Sequence, residues 1–534
     1  MKSGFRQSMA WLHTWTGILV SWLLYFIFVT GTLGYFDSEI DAWMAPELPK
    51  NTANIETSLT TAQTHLQQYG QDAKEWRVYL PLVRSEPHLQ VNYQQINEQG
   101  KLSRVSKTLD SESGDVLEHR KTGGGQALYR MHYRLHYLPT RFAYYLVGIF
   151  TMFMLLGLVT GIVVHKKIFK EFFTFRSNKG ATSWLDGHNL MSVVSLPFHL
   201  MITYSGLIMF MFTYVPFVMN ASYGLGEQGK KQFFDEYYQR GAPNDAAGIA
   251  AAQLPLPVLY QKAQDVLTQH NDTRQSYAMR IYHPNDLNSL AVFSLEQTSP
   301  SDDGARIILH ATNGATYAYT PQFEGTRHVQ SIFLELHEGI FATLSVRWLY
   351  FLTGLTGCAM IASGMILWTT KRRKKALSNP AGLPFSFKLT EGLNIGTVVG
   401  LPAAIAVYFI ANRLLPVEMA SRANWEMHCL FITWLVFLLH ACKHSWQNRG
   451  AVAWYQQWLM AAVLFALVPI TNGLTTERGL ITSIKQNDWV FAGFDLVNLG
   501  AAVLCMCIAM LVKKHRLVNV ETAPKEKQRR EVAA

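Results

Sequence analysis

From Gln7 to Phe36 the chain carries no Asp, Glu, Lys or Arg. A helix needs roughly 20 apolar residues to cross about 30 Å of hydrocarbon, so this run alone directs the chain to a bilayer. Five more uncharged runs satisfy the same requirement: residues 142–165, 187–216, 348–370, 392–412 and 450–472. Two are shorter or imperfect: Met427–Cys442, bounded by Glu426 and Lys443, and Trp489–Val512, which contains Asp495. The expectation is an α-helical integral membrane protein with about eight transmembrane helices. Composition agrees, with 16% charged residues where a soluble protein has about 25%. The five cysteines, Cys358, Cys429, Cys442, Cys505 and Cys507, lie in apolar stretches without a CxxC. That spacing argues against a disulfide scaffold and against structural zinc.

The net charge of +10 is a topology signal rather than a nucleic-acid footprint, because basic residues gather on the cytoplasmic side of spans. Lys166, Lys167, Lys170, Arg176 and Lys179 form one cluster, Lys371 to Lys375 another, and a tail from Lys513 through Lys525, Lys527, Arg529 and Arg530 a third. All three fall on one side of an eight-helix count, which predicts cytoplasmic termini. The first apolar run exceeds a signal-peptide core and has no A-x-A site after it, so it reads as a retained anchor.

The expected order is helix 1 at 1–36, an outside domain at 37–130, helices 2 and 3 with their loop at 131–216, and a second outside domain at 217–335. Helix 4 at 336–375, helices 5–8 at 376–512 and a basic tail at 513–534 complete it. In the first outside domain Ser58–Tyr69 reads as helix and Trp76–Leu82 and His88–Tyr93 as strands, followed by a third run and a turn ending at Ser113-Gly114-Asp115-Val116. The second repeats the order: helix Leu256–Thr268, strands Tyr277–Tyr282, Ser289–Leu295 and Ile307–His310, and a turn at Asn313-Gly314. One helix on a small antiparallel sheet is the expected α+β unit in each.

The spans repeat too. His13 precedes Thr30-Gly31 as His188 precedes Ser205-Gly206, and His132 precedes Thr160-Gly161 as His337 precedes Ser363-Gly364. The internal repeat is parallel, helix–outside domain–helix, which favours an axis along the membrane normal. It puts His13, His188 and His165 at the cytoplasmic level and His132, His337 and His136 at the outer level. His199 lies deeper, unless Pro197 bends its helix; His428, His440 and His444 lie on helix 6. Ionisable residues in spans are costly and usually functional. Taken singly, each is as readily a hydrogen-bonded interface residue, and each small-residue pair plain helix packing. Recurrence in both copies favours axial ligation of haem between helices. The expected pairs are His13 with His188 and His132 with His337. His165 is a rival inner ligand, and His136 and His199 are further candidates. No CxxCH occurs, so two non-covalent b-type haems are expected.

These residues resemble the PepSY-associated transmembrane-helix family of bacterial inner-membrane proteins over residues 1–375. The resemblance is carried by Trp11-Leu-His13-Thr-Trp-Thr-Gly17, Met131-His132-Tyr-Arg-Leu-His136, Thr160-Gly161-Ile-Val-Val-His165, Trp184-Leu-Asp186-Gly-His188-Asn189, Leu196-Pro197-Phe198-His199 and Leu336-His337-Glu-Gly339. It implies an inner-membrane location, PepSY-like periplasmic domains and, from some members, a ferric-siderophore reductase with two haems. The four helices after residue 380 depart from those members, and a structural or quinone-side role is expected for them. No GxGxxG or P-loop is present, so electrons are expected from quinol or a cytoplasmic donor. The leading expectation is an oxidoreductase, a transmembrane haem electron carrier reducing a periplasmic ferric chelate. Trp43, Tyr129 and Tyr133 are expected to line the cleft for that acceptor, and His65, His88, His119, His270, His283 and His310 to be ordinary surface or strand residues. The alternative is a non-redox membrane protein whose outside domains regulate a periplasmic partner. A transporter is disfavoured because uncharged spans offer few residues for coupling ions.

Overall fold

The computed structural model describes residues 4–50, 53–96, 102–165, 175–177, 179–237, 244–380 and 382–517. Lys166, Lys167 and Lys170, and the tail residues Lys525, Lys527, Arg529 and Arg530, lie outside the described residues. The chain divides into a helical unit, Met1–Pro46, Arg120–Leu207 and Val346–Ala534, and a second unit, Glu47–His119 and Ile208–Ser345.

The helical unit is built from α1 (Phe5–Gly34), α2 (Asp37–Met44), α3 (Gly124–Arg134), α4 (Thr140–Val164), α5 (Ala181–Val194), α6 (Leu196–Met209), α7 (Leu344–Leu377), α8 (Phe385–Val398), α9 (Gly400–Leu414), α10 (Arg422–Trp446), α11 (Gly450–Thr475) and α12 (Trp489–Val512). Among the described residues seven segments are long and apolar enough to cross a membrane, and eight when the bent pair α5–α6 counts as one span. The chain is a multi-pass membrane protein. The bend between α5 and α6 is 68° and falls at Ser195, two residues before Pro197. The proline sits in the first turn of α6, where its missing N–H leaves no bond unmade. Segments 37–46 and 120–130, read from sequence with the first outside domain, pack in the helical unit as α2 and the start of α3.

The continuous α8–α9 segment is the most enclosed span, with 78% of its apolar window buried against 28% for α4, α10 and α12. It ties the two halves of the unit together. Asn394 accepts a hydrogen bond from Trp22 Nε1 at 2.9 Å and donates to the Met365 carbonyl at 3.0 Å, while Tyr25 donates to the Val398 carbonyl. On its other side Gly392, Gly396 and Gly400 form a small-residue stripe against α10. A methyl at Gly396 would lie 2.7 Å from Leu438 Cα, so the two backbones approach as closely as such stripes allow.

The second unit holds one seven-stranded antiparallel sheet. Its strands are β1 (Glu75–Tyr79), β2 (Leu89–Ile96), β3 (Leu102–Leu109), β4 (Ser276–Tyr282), β5 (Leu290–Leu295), β6 (Arg306–His310) and β7 (Thr316–Thr320), in the order β3-β2-β1-β4-β5-β6-β7. The two expected sheets are thus halves of one, joined where β1 pairs with β4. Val78 and Met279, each the fourth residue of its strand, stand opposite one another there, as a local two-fold requires. The helices Ile55–Tyr69 and Leu256–Gln269 contribute Leu59, Leu66, Leu259 and Val266 to a shared core with Trp76, Leu89, Phe293 and Leu309. Gly114 and Gly314, at φ of 79° and 74°, occupy the left-handed region at the two expected turns.

Gly396→Ala should destabilise the detergent-solubilised protein by about 1–3 kcal/mol, the usual cost of overpacking. Gly500→Ala, where nothing lies within 4 Å of the added methyl, should leave the melting temperature unchanged. Equal melting temperatures for the two variants would contradict the close approach.

Candidate functional site: histidines docked on small-residue helix faces

His13 and His188 each meet a neighbouring helix in the same way. His13 on α1 lies with Nδ1 3.0 Å from the Gly157 carbonyl of α4 and 3.2 Å from Thr160 Oγ1. Gly161 faces its ring, and a methyl there would sit 3.4 Å from Cε1. His188 on α5 lies with Nδ1 2.8 Å from the Met360 carbonyl of α7 and 3.4 Å from Ser363 Oγ. Gly364 faces that ring at 3.2 Å. The pattern is a carbonyl at position i, Ser or Thr at i+3 and Gly at i+4. The i+3 hydroxyl is free to serve the turn above it, and the missing side chain at i+4 makes room for the imidazole.

A carbonyl oxygen only accepts, so Nδ1 carries the proton in both rings and Nε2 keeps its lone pair. Among the described residues neither Nε2 has a hydrogen-bond partner. The two ring centres are 6.3 Å apart, with planes at 66°. Two metal–imidazole bonds of about 2 Å, with about 1 Å from each nitrogen to its ring centre, give roughly 6 Å for two imidazoles on opposite sides of one metal. A cavity of about 340 Å³ opens between the helices here, lined by His13, His165 and His188 among apolar side chains such as Leu24, Met154 and Ile361, with Lys371 and Arg372 also on its wall. Arg372 rests on the rings of Trp15 and Trp368. Among the described residues no group of three or more His, Cys, Asp or Glu could hold a metal.

Two more histidines repeat the docking. His132 on α3 meets the Ile27 carbonyl of α1 at 2.8 Å, and Thr30 and Gly31 complete the pattern. A methyl on Gly31 would lie 2.5 Å from Nδ1. His199 on α6 meets the Thr353 carbonyl of α7 at 3.3 Å through Nε2, with Thr356 and Gly357 at i+3 and i+4. It is fully buried against Phe28, and its Nδ1 has no hydrogen-bond partner. The bend at Ser195 does not bring it to the His13–His188 cavity, whose lining it does not join. His337 lies near the end of the helix Gly325–Glu338, which stops at Gly339 in the left-handed conformation.

Other candidates fall elsewhere. His136 is exposed and stacks on Phe431 of α10, away from the cavity. His428 is bonded to Tyr137 at 2.6 Å, and His440 to Gln456 at 3.2 Å. Trp43 does not line a cleft. It is fully buried, stacked on Phe494 with the Arg413 guanidinium over its ring, and its Nε1 donates to Asp495. Tyr129 packs on Gly34 and Tyr133. His65 is buried in its helix beside Tyr69 and Tyr93, not on the surface.

Sequence reasoning missed the acidic seat under α3. A methyl on Gly124 would overlap Asp41, and one on Gly125 would lie 2.1 Å from the Asp37 carbonyl. The run Gly123-Gly124-Gly125 before a helix was the available signal, since such a run marks close approach of backbone. Gln126 donates to Asp37 at 2.6 Å. Burial, and Asp37 beside it, push the Asp41 carboxyl up to about 7. Its ordinary value is 3.8, so between these values the folded chain holds a proton that the unfolded chain has released. Stability from this group is therefore greatest below the lower value and falls as pH rises through about 7. Asp41→Asn should melt higher than wild type at pH 8, and the gain should shrink toward pH 4. A gain independent of pH would show that Asp41 does not titrate in this range.

No curated protein matches the chain. The PepSY-associated TM region matches residues 10–371, a stretch that holds all four docked histidines and both halves of the seven-stranded sheet. The chain belongs to that PepSY-associated transmembrane family.

Proposed function

We propose that the protein is a transmembrane electron carrier with two b-type haems that reduces an acceptor outside the membrane, most simply a ferric chelate. The observation that carries the reading is the His13–His188 pair, with both Nδ1 atoms committed to backbone carbonyls and the ring centres 6.3 Å apart. Two protein ligands do not hold a bare transition metal well, whereas a haem carries its own macrocycle and would need only His13 and His188 from the protein. The residues fit it: an apolar cavity, glycines where a flat ring needs close approach, and the positive charge of Lys371 and Arg372 for its carboxylates.

When bound, a haem held by two histidines would supply single-electron transfer rather than oxygen chemistry. His13 and His188 supply the inner ligands. Gly157 and Met360 hold their tautomers and raise the basicity of each free Nε2. Leu24, Met154, Ile361 and their neighbours keep water from the site. His132, docked on α1 by the same pattern, would be the helical unit's ligand at the outer level. His165 remains the rival inner ligand. By the distribution of basic residues the outer level faces the periplasm. Quinol or a cytoplasmic protein is the donor.

Protein produced with ample haem should contain about two per chain by pyridine haemochrome assay. His188→Ala should remove one low-spin signal and His337→Ala the other. A folded wild-type preparation without haem ends the proposal. Gly31→Ala, whose methyl meets His132 at 2.5 Å, should disturb one haem signal, and Gly161→Ala, at an ordinary 3.4 Å, should spare both. Chemically reduced protein should be reoxidised by a ferric siderophore, with Fe(II) appearing on a ferrous chelator. Reoxidation by quinone alone would reverse the proposed direction.

A further inference from the structure

Helices α8–α12 lie beyond the family-matched region, and their polar side chains at one end are spent on the other half of the protein. Where α9 leads into α10, Asn412, Arg422 and Glu426 are at most 1% exposed. Buried charges are costly unless paired and fully hydrogen-bonded. Arg422 and Glu426 pair with each other at 2.5 Å, but most of the remaining bonds go to backbone from elsewhere. Glu426 accepts from Thr122 Oγ1 at 2.7 Å and from the Gly123 amide at 3.0 Å. Asn412 donates to the Met44 carbonyl at 3.0 Å and to Glu426 at 2.8 Å, and its own carbonyl accepts from Arg120. Tyr408 donates to the Gly124 carbonyl at 2.9 Å, and Arg413 to the Trp43 carbonyl.

The two gripped segments, 43–44 and 120–124, are where the chain leaves α2 and where it begins α3. A methyl on Gly123 would meet the Tyr408 hydroxyl at 2.8 Å, so the seat is shaped to bare backbone. His132 follows Gly124 by eight residues, about 12 Å along the helix, and α3 is continuous between them. Fixing the first turn of α3 fixes where that imidazole stands.

We infer that the helices beyond the family region form a clamp, with Glu426 and Asn412 as positioning residues that hold the start of α3 and thereby aim His132. The consequence for an iron rests on the haem reading above; the clamp itself does not. The variants are made in the full chain. Glu426→Gln removes the charge that Thr122 and Gly123 share and the ion pair with Arg422, whose bonds to the Lys121 and Asn412 carbonyls remain. Thr122→Val removes a single hydroxyl and strands no charge, and Thr122→Ser restores it.

Hydrogen exchange should accelerate about tenfold over residues 122–134 in the first two variants, as for loss of a hydrogen bond to a charged group. It should stay unchanged in α4 and α7, and Thr122→Ser should behave as wild type. In haem-loaded protein the low-spin signal lost in His132→Ala should shift in the first two variants, and the signal lost in His188→Ala should not. Unchanged exchange over 122–134, or acceleration spread evenly through the helical unit, overturns the clamp. Faster exchange with an unmoved His132-dependent signal overturns the positioning role. A wild-type chain that takes up no haem defeats the proposed function and leaves the exchange measurement to decide the clamp.

Discussion

Much of the helical unit depends on one contact: a histidine nitrogen donating to a helix carbonyl beside a glycine. The carbonyl at i is already used within its own helix, and it has a second lone pair for the imidazole. The position i+4 that faces the ring is a glycine at all four histidines. At Gly31 and Gly364 a methyl would fall 2.5 and 3.2 Å from ring atoms, so the glycine is a condition of the contact. The Ser or Thr at i+3 bonds back to its own helix, as Thr160 does to Leu156 and Ser363 to Met360, and so adds no unpaired polar group in a low-dielectric setting. One short pattern thus solves two problems, seating a polar ring and fixing its tautomer, and at His13 and His188 it turns Nε2 away from the docking helix.

The same economy explains the repeat. His13 uses the helix that follows the first half-sheet in sequence, and His188 uses the helix that follows the second. The cavity therefore takes its histidines from both copies. In the second unit the relation is expressed in strands. β1 and β4 pair through equivalent residues, and each half-sheet covers what would otherwise be the other's open edge. An exposed strand edge is a template for unwanted pairing, which gives a physical reason for the two outside segments to fuse into one sheet.

Much of this was legible in the sequence because it is periodic or punctuated. Uncharged runs gave the spans, alternation gave the strands from Trp76 to His310, and glycines at 114 and 314 gave the turns. The Ser/Thr–Gly pairs were visible too, but not which histidine each would receive. That Thr160-Gly161 serves His13, and Thr30-Gly31 serves His132, depends on which helices are neighbours, a property of packing and not of any local window. Trp43 misled for the same reason. An aromatic residue just past a span reads as interfacial, yet an arginine and an aspartate far along the chain, Arg413 and Asp495, bury it. The acidic seat beneath α3 was announced only by three consecutive glycines, which mark close approach without naming what approaches.

The polar cluster at the junction of α9 and α10 turns an apparent liability into information. Charged side chains at full burial are seldom favourable relative to apolar replacements of the same shape. A cluster directed at generic packing would therefore offer little. Here the acceptors and donors meet main-chain groups of two specific segments, and a misplaced segment would leave a carboxylate and a guanidinium unsatisfied at once. The penalty for misplacement is what makes the arrangement selective. The docking of His132 gains from such selectivity, because a ring displaced by an ångström no longer meets the Ile27 carbonyl. Helices that contribute no spanning histidine to the cavity can in this way govern where one stands.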